Sequence, residues 1–247
     1  MKVAPESQVA LLDLQALDTA LDRLAARRRS LPELDEIARL TSSLERLRSD
    51  IVGAHTGGED LGREQNRLER EVDLVRTRAD RDRARLDAGQ VSSPRELENL
   101  QSEIASLGRR QTTLEDELIE IMERREQADD QESARRQEQA RAQAQRADAE
   151  QRRDEAFAAI DAEATQVRSE RDGLARKLPG DLVALYDRLR AASAGVGAAA
   201  LLRRRCQGCH LELSGADLMA AREAAEDEVL RCEECGRILV RTDDSGL

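Results

Sequence analysis

Leu14, Leu17, Leu21 and Leu24 recur at three- and four-residue steps over residues 7–29, which puts one apolar stripe on a helix. The stripe is interrupted at Ser30 and Pro32, where proline ends one helix and Ser30 reads as the cap of the next. It continues through Leu34, Ile37, Leu40, Leu44, Leu47 and Ile51. The run Gly53-Ala-His-Thr-Gly-Gly58 is a weak point, because each glycine costs about 1 kcal/mol against alanine inside a helix. With Pro32 it predicts a bent arm, and His55 within it reads as a solvated loop residue. From Leu61 the stripe resumes to Leu86, and Gly89 stands where a C-terminal glycine cap is expected.

Ser93-Pro94-Arg95-Glu96 then places a cap residue, a proline at the first helical position and a glutamate three after the cap, a capping box that starts a new helix. Its seam, Leu97, Leu100, Ile104, Leu107, Gln111, Leu114, Leu118 and Ile121, alternates three and four as a coiled coil requires. Between residues 124 and 155 alanine replaces the large apolar side chains. That stretch reads as a disordered polar tract or as helix with a thin seam. Helix is preferred, since Ala, Gln, Arg and Glu favour it and no Gly or Pro falls between Gly108 and Gly173. Folding the chain back near Gln90 also sets these alanines against the Leu-rich residues 25–57.

The seam returns with Phe157, Ile160, Ala164, Val167, Leu174 and Leu178 and ends at Pro179-Gly180. Asp181 reads as the cap of a short helix to Arg190 that carries Tyr186, and residues 191–200 as a small-residue linker or an edge strand. The fold class is therefore mainly α. A long kinked antiparallel coiled-coil hairpin spans 1–179, its turn near 88–93, and a short helix, connector and small C-terminal domain span 180–247. Arms of roughly 80 residues reach about 120 Å.

Composition narrows the function. Only 1% of the 247 residues are aromatic, one Phe, one Tyr and no Trp. Large aromatics supply much of a compact core, so one large globule is excluded and an enzyme with a deep apolar pocket disfavoured. Charged residues make up 37%, and the net charge of -11 argues against a protein that coats nucleic acid over its whole surface. No run of 18 apolar residues exists to span a membrane, and the N-terminus lacks the apolar core of a secretory signal. A cytoplasmic protein without membrane contact is expected.

All four cysteines fall in two C-x-x-C pairs, Cys206-Gln-Gly-Cys209 and Cys232-Glu-Glu-Cys235, with 22 residues between them. Two thiolates three apart on a tight turn reach one ion, and two such knuckles complete a tetrahedron suited to Zn²⁺. The spacer leaves room for a helix over 214–225, with Ser214 as its cap and Leu218 facing inward, and Gly236-Arg-Ile-Leu-Val-Arg241 reads as a strand. The result is a zinc ribbon with one structural ion. Cys206-Gln-Gly-Cys209-His210 also fits haem-attachment spacing, but that use would need export and would strand Cys232 and Cys235. Four cysteines close the metal's shell, so no catalytic residue is assigned, no small-molecule substrate is expected, and His210 reads as an exposed neighbour.

Together the hairpin and ribbon resemble a bacterial family of coiled-coil hairpins ending in a C4-type zinc ribbon, nearest to its actinobacterial members. The resemblance is carried by Ser93-Pro-Arg-Glu-Leu-Glu-Asn-Leu-Gln-Ser-Glu-Ile104, Cys206-Gln-Gly-Cys-His-Leu-Glu-Leu-Ser214 and Arg231-Cys-Glu-Glu-Cys-Gly-Arg-Ile-Leu-Val240. For function it implies a nucleic-acid-binding label on the ribbon. In some relatives from flagellated or secreting bacteria it implies an adaptor role toward an alternative sigma factor or messenger RNA.

From the residues themselves, nucleic-acid contact would fall to Arg203, Arg204 and Arg205, and to Arg78, Arg81 and Arg85 near the hairpin turn. There, five arginines over residues 76–85 face two aspartates. Against this, residues 201–247 hold seven Arg but ten Asp/Glu and no aromatic for base stacking. The preferred expectation is a non-enzymatic adaptor or scaffold that docks protein partners, in transcription or post-transcriptional regulation. Direct RNA or DNA binding is the alternative.

Overall fold

The computed structural model describes residues 1–247. All four prolines sit at helix starts: α1 (Pro5–Arg29), α2 (Pro32–Asp87) and α3 (Pro94–Ala175) open on one, and α4 (Gly180–Ala192) follows Pro179. Proline lacks the N–H that would find no partner in a first turn, so it begins a helix without penalty. Asp181, expected as the cap of α4, lies in its first turn instead. Ser30 closes α1 rather than opening α2: its N–H donates to the Ala26 and Arg27 carbonyls, and its Oγ to Ala26 at 3.1 Å. At the start of α3 the capping bond forms, Glu96 N–H to Ser93 Oγ at 3.2 Å.

The glycine-bearing run does not break α2, which is helical from Pro32 to Asp87. Helix propagation is cooperative, and the three glycines of this run, with Gly62 a turn further on, do not stop a 56-residue helix. His55 is correspondingly not a loop residue. Its Nδ1 lies 3.2 Å from Glu132 Oε2 on α3, and its Nε2 3.6 Å from Glu59. Arg136 and His55 hydrogen-bond Glu132 and hold its carboxyl below the usual carboxylate range.

The chain forms two compact units, Asp35–Glu150 and a second made of Met1–Leu34 with Gln151–Leu247. In the first, α2 and α3 run antiparallel, with ion pairs Glu71–Arg110 and Arg78–Glu103 between them. The alanine-rich part of α3 is helix throughout, and Ala142 packs against Leu40, Leu44 and Leu47. Small side chains on one helix thus admit large ones from the other, and Leu68, Ala79, Leu100 and Leu114 continue the buried seam.

In the second unit, Leu24, Leu31 and Ile160 form one core with Phe157 and Val167, and Arg28 lies over the Phe157 ring at 4.1 Å. The rest surrounds a four-stranded sheet of β1 (Ala198–Leu202), β2 (Arg205–Cys206), β3 (Leu230–Arg231) and β4 (Ile238–Val240), ordered β2-β1-β4-β3, with α5 (Gly215–Glu223) before β3. The small-residue connector therefore ends in an inner strand, neither linker nor edge. β1 pairs in parallel with β4, with Ala198 opposite Ile238 and Ala200 opposite Val240.

Strand periodicity divides this sheet's contacts. Ala198, Ile238 and Val240 pack on Leu11, Leu14, Leu182 and Tyr186 of α1 and α4. Ala199, Leu201 and Leu239 pack with the cysteines. Both faces are buried, which is why these strands carry no polar alternation. The chain's start joins the same unit: Val3 N–H donates to Asp227 O at 2.6 Å and Val229 N–H to Met1 O at 3.0 Å.

A polar knot locks α1 to this base. Gln15 Oε1 accepts from Gly197 N–H at 2.7 Å and from Tyr186 Oη at 3.3 Å, while its Nε2 donates to Gly195 O at 2.9 Å. Tyr186 Oη donates to Asp18 Oδ2 at 2.8 Å, and the Arg171 and Arg190 guanidiniums flank the same carboxylate at 3.2 and 3.5 Å. Burial, together with the Asp18 carboxylate, pushes the Tyr186 hydroxyl far above the usual tyrosine range. The neutral phenol is thus the folded form. Its contribution is complete below about pH 10, the ordinary tyrosine value, and is lost above it as the unfolded chain ionises first. Tyr186→Phe is expected to lower stability by about 2 kcal/mol at neutral pH, and the gap to wild type should close above about pH 10. Urea titrations followed by circular dichroism at both pH values measure this; an unchanged gap at high pH would contradict it.

Candidate metal centre

Each knuckle is a tight turn closed by its own backbone. His210 N–H donates to Cys206 O at 2.8 Å, and Gly236 N–H donates to Cys232 O at 2.7 Å. His210 (φ 63°) and Gly236 (φ 71°) hold the same place, one residue after the second cysteine, and both are left-handed. Glycine takes this conformation freely, and histidine is among the side chains enriched there. His210 is exposed and serves as turn backbone, as an exposed neighbour should.

The turns bring all four Sγ atoms within 4.8 Å of one another. Across the knuckles, Cys206 faces Cys235 and Cys209 faces Cys232, each at 3.9 Å. A disulfide would need about 2.05 Å, whereas a tetrahedron with zinc–sulfur bonds near 2.3 Å has edges of about 3.8 Å. The donor set and spacing fit one structural Zn²⁺, with no coordination position left open. Leu201, Leu213, Leu230 and Leu239 pack around the sulfurs, and Cys206 and Cys232 are buried while Cys209 and Cys235 are half-buried. That burial pushes the Cys206 thiol up and the Cys232 thiol up to about 12. Burial also opposes ionisation of Cys235, but hydrogen bonds from Arg237 and from the neighbouring cysteines outweigh it and bring this thiol down to about 7.

The helix expected in the spacer is α5, and Ser214 caps it, accepting from Asp217 N–H at 3.2 Å. Leu218 is half-buried, and Ala221 is the residue that α5 buries fully. Gly208 is required by close approach: a Cβ there would lie 2.7 Å from Arg237 Cδ and 3.1 Å from Ala199 Cβ.

The ribbon's arginines divide in two. Arg237 donates to Ser193 O at 2.9 Å and Val196 O at 3.0 Å, tying the second knuckle to the end of α4. Arg241 gathers the carbonyls of Ala224, Ala225, Glu226 and Glu228 at 2.6 to 3.0 Å, and Arg231 donates to Gly236 O at 2.9 Å. These three, which the sequence offers simply as ribbon cations, are structural clasps. No local pattern distinguishes them, because their acceptors are backbone carbonyls.

Arg203, Arg204 and Arg205 remain exposed. Arg203 (φ 47°) and Arg204 (φ 66°) form the two-residue turn between β1 and β2 in a left-handed conformation that Asn-Gly usually supplies. The C-terminal tail holds it: Arg203 and Arg204 N–H donate to Asp244 O and Ser245 O, each at 2.8 Å. Near the hairpin turn, Arg78 is paired with Glu103, whereas Arg81 and Arg85 are exposed and make no ion pair. Arg76 and Arg83 share Asp80, so the expected basic cluster is partly matched.

Fold and site define a helical-hairpin protein with a four-cysteine zinc ribbon. A CT398-like coiled-coil hairpin domain matches residues 14–194, and a C4-type zinc ribbon domain matches residues 205–239. The chain belongs to the CT398-like coiled-coil hairpin family. It is 39% identical over 241 residues to an uncharacterized protein of Mycobacterium tuberculosis, covering 98% of each. A solved structure from Mycobacterium smegmatis matches it with a TM-score of 0.82 at 34% identity, over 98% of this chain and 100% of that one. CT398 from Chlamydia trachomatis matches with a TM-score of 0.71 at 20% identity, over 96% and 98%, a likeness of fold. The mycobacterial relatives agree with the actinobacterial resemblance.

Two outcomes are expected at the metal. Zinc uptake by metal-free protein at pH 7.5 should release about two or more protons per ion, from Cys206 and Cys232 at least, as read by an indicator dye. Chelation or Cys232→Ser should expose the amides between β1 and β4 to hydrogen exchange while most helical circular dichroism persists; His210→Gly should leave zinc affinity unchanged. Loss of zinc in His210→Gly would make the histidine a ligand.

Proposed function

We propose that this protein is a non-enzymatic zinc-ribbon adaptor that docks protein partners through its hairpin and its ribbon. The observation that carries the reading is the exposure of large apolar side chains on a surface otherwise dressed with charge. In the ribbon these are Leu211 and Met219, 51% and 61% exposed; on the hairpin they include Ile119 and Met122, 55% and 49% exposed. Contiguous exposed apolar groups rimmed by charge mark protein contacts, and Ile119 and Met122 lie one helical turn apart on α3. A closed tetrathiolate shell supports the absence of metal catalysis, and no helix is long and apolar enough to cross a membrane.

A second reading, direct nucleic-acid binding, is favoured by one feature. Two consecutive arginines occupy a strained turn and are exposed, Arg204 with only its side-chain Nε bonded, to Gly246 O at 3.3 Å, so phosphate would reach them. It ranks second because Arg231, Arg237 and Arg241 are committed to carbonyls and carboxylates outnumber arginines in the ribbon.

Affinity capture from cell lysate, with and without nuclease, separates the two. The adaptor reading expects protein partners that survive nuclease and are retained by the Arg203→Ala, Arg204→Ala, Arg205→Ala triple variant. Partners that vanish with nuclease and with that variant would overturn it. Filter binding of RNA across a salt series would then count the phosphates contacted.

A further inference from the structure

A groove of about 280 Å³ opens beside the metal knuckles. One wall is the segment 211–213, the other the segment 229–234, and α5 lies against both. Its apolar surface comes from Leu211, Leu213, Val229 and Leu230. Around this surface stand four carboxylates, Glu212, Asp217, Glu233 and Glu234, against one guanidinium, Arg231, whose Nε is already bonded to Gly236 O. Cys232 also lines the groove, and four thiolates on a dication add two further negative charges to this face.

The backbone beside the groove carries an open edge. Segment 211–213 pairs antiparallel with β2: Cys206 N–H donates to Leu211 O and Leu213 N–H donates to Arg204 O. In such a ladder alternate residues turn their N–H and C=O to opposite sides. Those of Glu212 therefore face away from β2, and they have no backbone partner.

We propose that this groove binds an extended segment of a partner protein, with an aliphatic side chain seated against Leu211 and Leu230 and Lys or Arg on either side facing Glu212 and Glu233. The proposal rests on the adaptor reading and names the chemistry of its partner. Charge decides between occupants. Phosphate is repelled by the carboxylates and the thiolate-bound metal, whereas a cationic chain gains attraction and register from them. The aliphatic anchor supplies burial, and the open edge at Glu212 supplies main-chain hydrogen bonds in the manner of strand addition.

The test is a random peptide display library selected on the zinc-loaded full chain, with selected peptides synthesised and titrated by fluorescence anisotropy. Two variants are compared, Leu211→Ser and the pair Glu212→Lys with Glu233→Lys, each confirmed to hold one zinc. Enrichment of peptides with an aliphatic residue flanked by Lys or Arg is expected. Their affinity should fall roughly tenfold or more in either variant and with added salt. Glu-flanked versions of the same peptides should bind the Lys pair better than they bind wild type.

Several outcomes overturn the proposal. If selected peptides lack a cationic bias, or bind both variants as they bind wild type, the groove assignment fails while protein docking stands. If no peptide is enriched and nuclease-treated capture returns no protein, both fail. If Leu211→Ser instead abolishes a concentration-dependent self-association in sedimentation, the occupant is a second copy and the proposal is wrong.

Discussion

The parallel pairing of β1 with β4 is the constraint on which the rest of the C-terminal architecture depends. Parallel neighbours cannot be joined by a tight turn and need a crossover of a dozen residues or more. Here the crossover is the segment between Leu202 and Ile238, which contains both knuckles, β2, α5 and β3. The ribbon is therefore the connection that this pairing requires: it supplies both edge strands, β2 and β3, and its metal knuckles pack on one face of the sheet. Because Ile238 and Val240 point to the helices while Leu239 points to the sulfurs, one three-residue strand belongs to both cores. Metal binding and helix docking each fix β4 from its own side. The cysteine core would have little aliphatic mass without the sheet, since it draws only on a few leucines and one alanine beyond the sulfurs.

Scarcity of aromatics shapes the helical side of the same sheet. With one tyrosine and one phenylalanine in 247 residues, burial alone cannot specify how α1 meets α4. The interface uses a polar network in which Gln15 and Asp18 sit almost fully buried around the Tyr186 hydroxyl. Such a network specifies one arrangement because each unmet partner would leave a desolvated polar group. Gly197 is part of that specification: a Cβ there would meet Tyr186 O at 2.7 Å, so only glycine lets the strand approach α4 this closely. Arg237 and Arg241 do comparable work around the ribbon, replacing packing with multiple bonds to carbonyls.

What the sequence disclosed follows from how local each signal is. The capping box at Ser93, the alternating seam of α3 and the two C-x-x-C turns are set by residues within a few positions of one another, and all are present. The opposition of Ala142 to Leu44 and Leu47 was readable too, because a hairpin turn fixes which residues face each other. Signals that depend on tertiary partners were not readable. Residues 198–200 look like a linker because three alanines carry no periodicity, and only Ile238, Leu239 and Val240 across the ladder make them a strand. Gly53 to Gly58 looked like a break because propensity is counted residue by residue, whereas a helix persists through cooperativity and cross-helix partners such as Glu132. Gln8, Gln15 and Asp18 gave no sign of burial, since polar residues on an amphipathic helix are read as solvent-facing.

The same distinction governs how the ribbon's charge should be read. Counted along the chain, its arginines form one basic set. Counted in space, Arg231, Arg237 and Arg241 are consumed by carbonyl groups and Arg204 gives its Nε to Gly246 O, which leaves the exposed Arg203, Arg205 and Arg222 to display their charge freely. The Arg203–Arg204 turn is held left-handed by the C-terminal tail, through carbonyls of Asp244 and Ser245, so its conformation costs the protein a strain that the tail offsets. The carboxylates follow the opposite course. Glu212, Glu233 and Glu234 gather around an apolar groove because two of them lie inside the second knuckle and the third on the strand beside the first. Metal coordination thus fixes the position of acidic side chains that take no part in binding the metal. A net charge quoted for the whole domain averages over a cationic turn and an anionic groove, and any ligand responds to one of these local fields rather than to their sum.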